Sequence, residues 1–447
     1  MTAVPGQEWT NSSAQDMAAA EASAGQPVSL SAATGAPGQQ TAVTFSGEAG
    51  TLFPLLGQGF FLQVFTLGIY RFWLTTDTRR FYWSNTAVGT EAFAYTGTPM
   101  QLLTGFLFAL AVLVPLQALG FFLILGLPSA ETFITLAVAA AVLFLAQYAA
   151  YASRRYRLTR TSWRGLRLRM TGSAWTYAVR SFGFWLLAIV TLGLTYPWAT
   201  AALERIKMHE TFYGDAQGAF VGRPGELAKR LVIVWMLAIL LPIFLAGALV
   251  AVLPWSFWSA LLNATATGDP AAPYLEMTPS RMISAAFLFG PYIVIGFSII
   301  LAPAFIAITF RWRMSGMRIG GTSIASTFSA GRAYRIYCVG MLGVLALTAL
   351  TAIPVVLLLA DMAASQENTG LGAQIFAVVV AAAGYLAIFG AFWVSKQIFV
   401  GLPLYRAQMA SLTVANLASL DDVRSRNVHA SAMGEGLADA AEFGVSL

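Results

Sequence analysis

Stretches in which nearly every position is apolar recur along the chain at roughly 52–74, 102–126, 132–152, 181–201, 231–253, 283–310, 336–360 and 372–395. Each approaches the roughly 20 residues that a helix needs to cross a bilayer. Aromatic residues collect at their ends (Tyr70, Trp73, Trp163, Trp198, Trp255, Trp258, Trp312, Trp393), the pattern of a membrane interface. Between these stretches the period falls to two. Leu166, Leu168 and Met170 alternate with Arg167 and Arg169, and Phe310, Trp312 and Met314 alternate with Arg311 and Arg313. That alternation predicts short strands, with similar extended segments at 41–45, 92–96 and 219–221. The expected fold is an all-α polytopic membrane protein of about six transmembrane helices plus two membrane-embedded non-crossing elements, with a small cytoplasmic antiparallel β layer.

Composition supports the bilayer as solvent. Of the 447 residues, 57% are hydrophobic and only 10% charged, against about 25% charged in a typical soluble chain. One cysteine, Cys338, excludes an intramolecular disulfide framework, and His209 and His429 are too few for a histidine-rich zinc site. No Gly-x-Ser-x-Gly elbow and no Lys-Ser/Thr phosphate loop occurs. No cofactor and no enzymatic activity are therefore expected.

The placement of charge decides which stretches cross. If all eight spanned, the 26 Lys and Arg would be divided almost evenly between the two faces, against the positive-inside bias. If 181–201 turns back, all of them except Arg281 share one face. Residues 1–70 hold no Lys or Arg, so charge leaves the first stretch open. A duplication suggests its behaviour. Shifted by 125 residues, Gly47, Thr66, Leu67, Gly68, Trp73, Arg80, Thr86, Gly89, Gly97 and Pro99 fall on Gly172, Thr191, Leu192, Gly193, Trp198, Arg205, Thr211, Gly214, Gly222 and Pro224. Matched Gly, Trp, Arg and Pro exceed what two apolar stretches share by composition. The expected organisation is a disordered tail at 1–40, membrane repeats at 41–165 and 166–309, a degenerate third at 310–410, and a cytoplasmic tail at 411–447.

Several motifs occur in order: Thr66-Leu-Gly-Ile-Tyr-Arg-Phe-Trp73, then Arg79-Arg-Phe-Tyr and Asn85-Thr86, then Arg160-Thr-Ser-Trp-Arg-Gly165, Thr191-Leu-Gly-Leu-Thr-Tyr-Pro-Trp198 and Gly434-Glu-Gly-Leu-Ala-Asp439. With these motifs the chain resembles the YjgN-like family of bacterial inner-membrane proteins, whose function is not established. The resemblance implies the bacterial cytoplasmic (inner) membrane; the charge count puts the C-terminus on the cytoplasmic side, and the duplication, by making the first stretch turn back like its equivalent, puts the N-terminus there too.

Two groups of residues are candidates for function. Thr66, Gly68 and Trp73, with Thr191, Gly193, Pro197 and Trp198, mark breaks in otherwise helical stretches. At membrane depth such breaks need shelter by protein or water, although Gly68 and Gly193 also suit close helix packing. Arg154, Arg155, Arg157, Arg160, Arg164, Arg167 and Arg169 form a dense patch, suited to an anionic lipid or phosphorylated ligand, or simply to setting orientation. Arg80 and Arg205 stand out because they recur at equivalent positions. Two functions follow as expectations. The first is a passive channel or uncoupled transporter for a small solute, whether anionic or not, its lining built from the broken elements. The second is a non-catalytic scaffold binding anionic lipid or a partner protein through its Arg face. Membrane lipids are the expected partners, nucleic acid is not, and a homo-oligomer is left open.

Overall fold

The computed structural model describes residues 40–252, 279–364 and 371–423. Among these, pairs of helices alternate with pairs of strands. Strand β1 (Gln40–Phe45) leads to α1 (Ala49–Phe65) and α2 (Arg71–Ser84), which return to β2 (Thr86–Val88), β3 (Glu91–Ala92) and β4 (Ala94–Tyr95). Helices α3 (Pro99–Gly126) and α4 (Glu131–Thr159) precede β5 (Thr161–Trp163) and β6 (Leu166–Met170). The pattern continues through α5 (Ala174–Val190), α6 (Tyr196–His209), β7 (Thr211–Tyr213), β8 (Ala216–Phe220), α7 (Pro224–Val252), α8 (Pro279–Gly316), β9 (Met317–Ile319) and β10 (Thr322–Ser326). Last come α9 (Ala330–Ala364), α10 (Leu371–Lys396), a π-helical turn at Gln397–Gly401, α11 (Leu402–Met409) and β11 (Leu412–Ala415).

The strands form one sheet in the order β3-β2-β1-β11-β10-β9-β8-β7-β6-β5-β4, with antiparallel pairing throughout. The two ends of that order, β3 and β4, are separated in sequence by Phe93 alone. One bent strand over 91–95 thus pairs with β2 through its first half and with β5 through its second. The sheet curls almost fully into a barrel, leaving hardly any free edge. This corrects the expected small β layer: the strands form an eleven-stranded near-barrel that every helical pair leaves and rejoins.

The interior of the barrel is filled. Val43, Val88, Trp163, Tyr213, Leu412, Val414 and Leu420 form one buried cluster, with Phe93, Leu166, Leu168, Ile319 and Ile324 packed against it. Leu420 arrives on a 3₁₀ turn (Leu417–Leu420) that follows β11 and plugs this core. Two-residue turns join the strand pairs. In the β5–β6 turn Arg164 and Gly165 both have positive φ, 49° and 74°, the type I′ geometry that matches strand twist. At three of the helix-to-strand steps a threonine ends the helix. The Thr86, Thr161 and Thr211 hydroxyls each donate to the carbonyl four residues back, at 2.7 Å.

A second expectation is also corrected. Phe310–Met314 is not a strand but the end of α8, so its likeness to the strand Leu166–Met170 is one of sequence only. Two buried faces explain the misleading alternation: Ile308 and Trp312, one turn apart, pack with α6 and α7, while Phe310 and Met314 pack on the barrel interior. Expected strands at 41–45, 92–96 and 219–221 fall on or next to β1, β3–β4 and β8.

Among the described residues, four helical segments are long and apolar enough to cross a membrane by length and composition: Pro99–Gly126, Pro128–Thr159, Ala330–Met362 and Gln374–Met409. Two shorter apolar helices, Ala49–Phe65 and Ala174–Val190, are α1 and α5. The buried clusters between helices gather near the sheet, as with Leu52, Leu56, Leu74, Tyr82, Val394 and Leu402, or Phe72, Leu102 and Tyr156. Away from the sheet the helices expose Phe121, Phe122, Phe133, Ile189, Val190 and Leu357.

Candidate functional site

The Thr-Leu-Gly elements are complete helix-to-helix turns. α1 ends with Leu67 and Gly68 at φ 50° and 91°, and α5 ends with Leu192 and Gly193 at φ 50° and 85°. The Thr66 hydroxyl donates to the Leu62 carbonyl at 2.7 Å and accepts from the Tyr70 amide at 2.9 Å. Thr191 bonds the Leu187 carbonyl in the same way. Amides of Gly68 and Gly193 close back onto Gln63 and Ala188, both at 2.7 Å. Backbone groups freed by the break are thus largely bonded locally, as apolar surroundings require. Leu67 at the tip is 94% exposed. Trp73 stacks on Tyr70, Pro197 opens the first turn of α6, and Trp198 is exposed. Trp235 from α7 donates to the Leu192 carbonyl at 2.7 Å, tying the second tip to its neighbour.

Arg80 and Arg205 share one task. Arg80 donates to the Gly97 carbonyl at 3.3 Å and Arg205 to the Gly222 carbonyl at 3.4 Å, each seventeen residues ahead. Arg155 reaches Gly172 with the same spacing, at 3.4 Å, and Arg406 reaches Gly47 at 2.6 Å. Each of these glycines lies in the short link between a strand and the helix that follows it. At Gly47, Gly97 and Gly222 the place of a Cβ is taken by the ring of Phe45, Tyr95 or Phe220, two residues back. A repeated clasp therefore holds sheet to helix, which accounts for the recurrence of both the arginines and the glycines.

Of the remaining arginines in the patch, Arg164 pairs with Asp421 at 2.5 Å and lies over the Trp163 ring. Arg169 lies over Phe212 and Arg160 over Tyr156. Arg167 on β6 is exposed, and Arg157 is in the last turn of α4. The patch is spread along the rim where helices meet the sheet. Residues beyond Val423, among them His429 and the Gly434–Asp439 motif, lie outside the described residues.

Arg154 belongs elsewhere, to a buried charged centre where α4, α6 and α8 meet. Glu204 of α6, only 1% exposed, holds Lys207 Nζ at 2.6 Å from its Oε1. Arg313 Nε stands 3.0 Å from the same oxygen, without the alignment of a hydrogen bond. Glu204 Oε2 and Arg154 Nε are buried with no hydrogen-bond partner. Arg154 donates one bond to a soft acceptor, Met208 Sδ, at 3.4 Å. Burial opposes charge on Glu204, but Lys207, Arg313 and Arg154 outweigh it and hold the carboxyl below its ordinary range. Burial pulls Lys207 down to about 8, partly offset by Glu204. Three cations around one carboxylate leave two positive charges in excess. Between α5 and α4, the Ser181 hydroxyl donates to Gln147 Oε1 at 2.7 Å.

Reading the sequence misses Glu204, Lys207 and Arg313. One signal was available: on α6 the positions Pro197, Thr200, Ala201, Glu204 and Met208 follow the buried register of the helix, so the carboxylate falls on the inward face. The convergence of Arg154 and Arg313 on it is tertiary and leaves no trace in spacing.

Residues 40–440 match the family described as bacterial protein of unknown function, DUF898, which agrees with the YjgN-like resemblance. No curated protein and no solved structure matches the chain.

Proposed function

Since the chain belongs to the DUF898 family of bacterial proteins of unknown function, we propose, from its geometry, that it is a non-catalytic scaffold of the bacterial cytoplasmic membrane. It gathers anionic lipid at its cytoplasmic face. The helical pairs enter the bilayer from the sheet, the barrel and both chain ends lie on the cytoplasmic side, and the segments 45–102 and 170–227 are two copies of one unit. The supporting observation is the position of the cations. Arg79, Arg80, Arg157, Arg205, Arg230, Arg311, Arg332 and Arg406 sit in the half of their helices that meets the sheet, and Arg160 follows the end of α4 there. The distal parts of the four long apolar segments carry almost no charge. Such a girdle fits a positive-inside interface and attracts anionic headgroups. The filled barrel favours a platform over the channel expected from sequence, because a path through the sheet would have to cross packed side chains.

The test combines accessibility with lipid retention. In a Cys338→Ser background, Ser129→Cys, between α3 and α4, should react with an impermeant thiol reagent outside intact cells, and Thr90→Cys, in the β2–β3 turn, should not. The exposed pair Arg167→Gln with Arg311→Gln should then lower co-purified phosphatidylglycerol severalfold in native mass spectrometry. Labelling of Thr90→Cys from outside, or an unchanged lipid complement, contradicts the proposal.

A further inference from the structure

The rim arginines are partnered by carbonyls and rings, and Arg80 and Arg164 each by one surface carboxylate. The centre around Glu204 differs: Glu204 is 1% and Lys207 18% exposed, with Arg313 at its more open edge, its cations outnumber its carboxylate, and the buried Arg154 Nε in it donates to nothing. Leaving two excess charges inside is unfavourable unless a counter-charge joins them. The donor set also has a shape. Two guanidinium groups, from α4 and α8, supply planar forks, and the Lys207 ammonium supplies a point charge, a combination that suits tetrahedral oxyanions. Arg154 spends one N–H on a thioether, and its Nε donates to nothing. Glu204 anchors Lys207 and stands beside Arg313, so it keeps mutually repelling cations together in the absence of a ligand.

From this we infer that Arg154, Lys207 and Arg313, assembled around Glu204, form a binding site for one phosphate group of dianionic type, either inorganic phosphate or a terminal phosphate monoester on a lipid. Two negative charges neutralise the excess that the four side chains leave. The guanidinium of Arg154 turns from Met208 Sδ to the phosphate oxygens, and Glu204 stays with Lys207. The site goes beyond the rim reading and uses none of the rim residues substituted above, so either can fail without the other. The other charges nearby, Arg155 and Glu210, act on Tyr151 at the edge of the centre and offset each other.

The experiment uses the full chain purified in detergent at low salt. Inorganic phosphate is titrated by calorimetry, and retention of phosphatidic acid against phosphatidylglycerol is read by native mass spectrometry. The parent should bind at least one of inorganic phosphate and phosphatidic acid, with phosphatidylglycerol, a diester, retained at the rim alone. Arg154→Gln and Arg313→Gln should each weaken that binding at least tenfold while leaving phosphatidylglycerol unchanged. Glu204→Gln removes the competing carboxylate and should strengthen binding; if it does not fold, the two arginine variants carry the test. Calorimetric binding assigns the site to free phosphate, and retention of phosphatidic acid alone assigns it to a lipid. If neither probe binds the folded parent, or both arginine variants bind as the parent does, the cluster is a structural tie between helices and the proposal is overturned.

Discussion

Glu204 and Lys207 form a pair whose protonation is coupled to folding. Lys207 titrates near 8 in the folded protein, against an ordinary 10.5, because burial disfavours the ammonium. Between those values the unfolded chain holds a proton that the folded chain has released, so stability rises with pH across that window. Glu204 has the usual carboxylate sign: its folded value is lowered, so its stabilising contribution is present above pH 4.5 and fades as the pH falls through the folded value. Relative to Lys207→Met, the parent should therefore gain thermal stability from pH 8 to pH 10.5, read by the melting temperature in detergent. A parent-minus-variant difference that is flat over this range would show Lys207 to be ordinary. Neither residue stands out in sequence, since a single Glu within Ala-Ala-Leu-Glu-Arg-Ile-Lys gains its meaning from arginines on two other helices.

At the scale of elements, the Thr-Leu-Gly segment is a helix-to-helix turn at both positions. Its bounds, 66–70 and 191–195, recur at the offset of 125 read from the residues, and so do the flanking helices. The signal is legible because it is local: a threonine hydroxyl, a tight turn and a glycine act within five residues. At φ 91° and 85°, Gly68 and Gly193 adopt a backbone that a Cβ disfavours, although open space surrounds Gly68. Gly68→Ala and Gly193→Ala should each cost about 1–2 kcal/mol from backbone strain alone, measured by denaturant titration of the solubilised protein. A neutral result at both positions would mean that the turn relaxes freely. By contrast, the strand expected at Phe310–Met314 shows how five alternating residues mislead when a helix wedges between two cores and buries both faces.

For the whole molecule, the near-barrel was the least legible feature. Its strands run from two to six residues, so that alternation marks β6 but says nothing of which strand pairs with which, and the pairing that completes the ring joins β1 to β11 at opposite ends of the described chain. No local pattern encodes such a contact, whose closure across the length of the chain carries an entropic cost. The architecture depends on it, because a nearly closed and filled sheet is what gathers the helical pairs at one base and turns their basic ends into a single rim. Ala42 and Thr413 are direct partners across β1 and β11. Antiparallel partners lie within the range that a disulfide spans. The decisive measurement is oxidation of an Ala42→Cys, Thr413→Cys pair in the Cys338→Ser background, read by mass spectrometry after proteolysis. A closed barrel gives an intramolecular disulfide in high yield without loss of the folded, monodisperse protein. Two free thiols, or links formed only between chains, would contradict the closure on which the rest of the architecture is built.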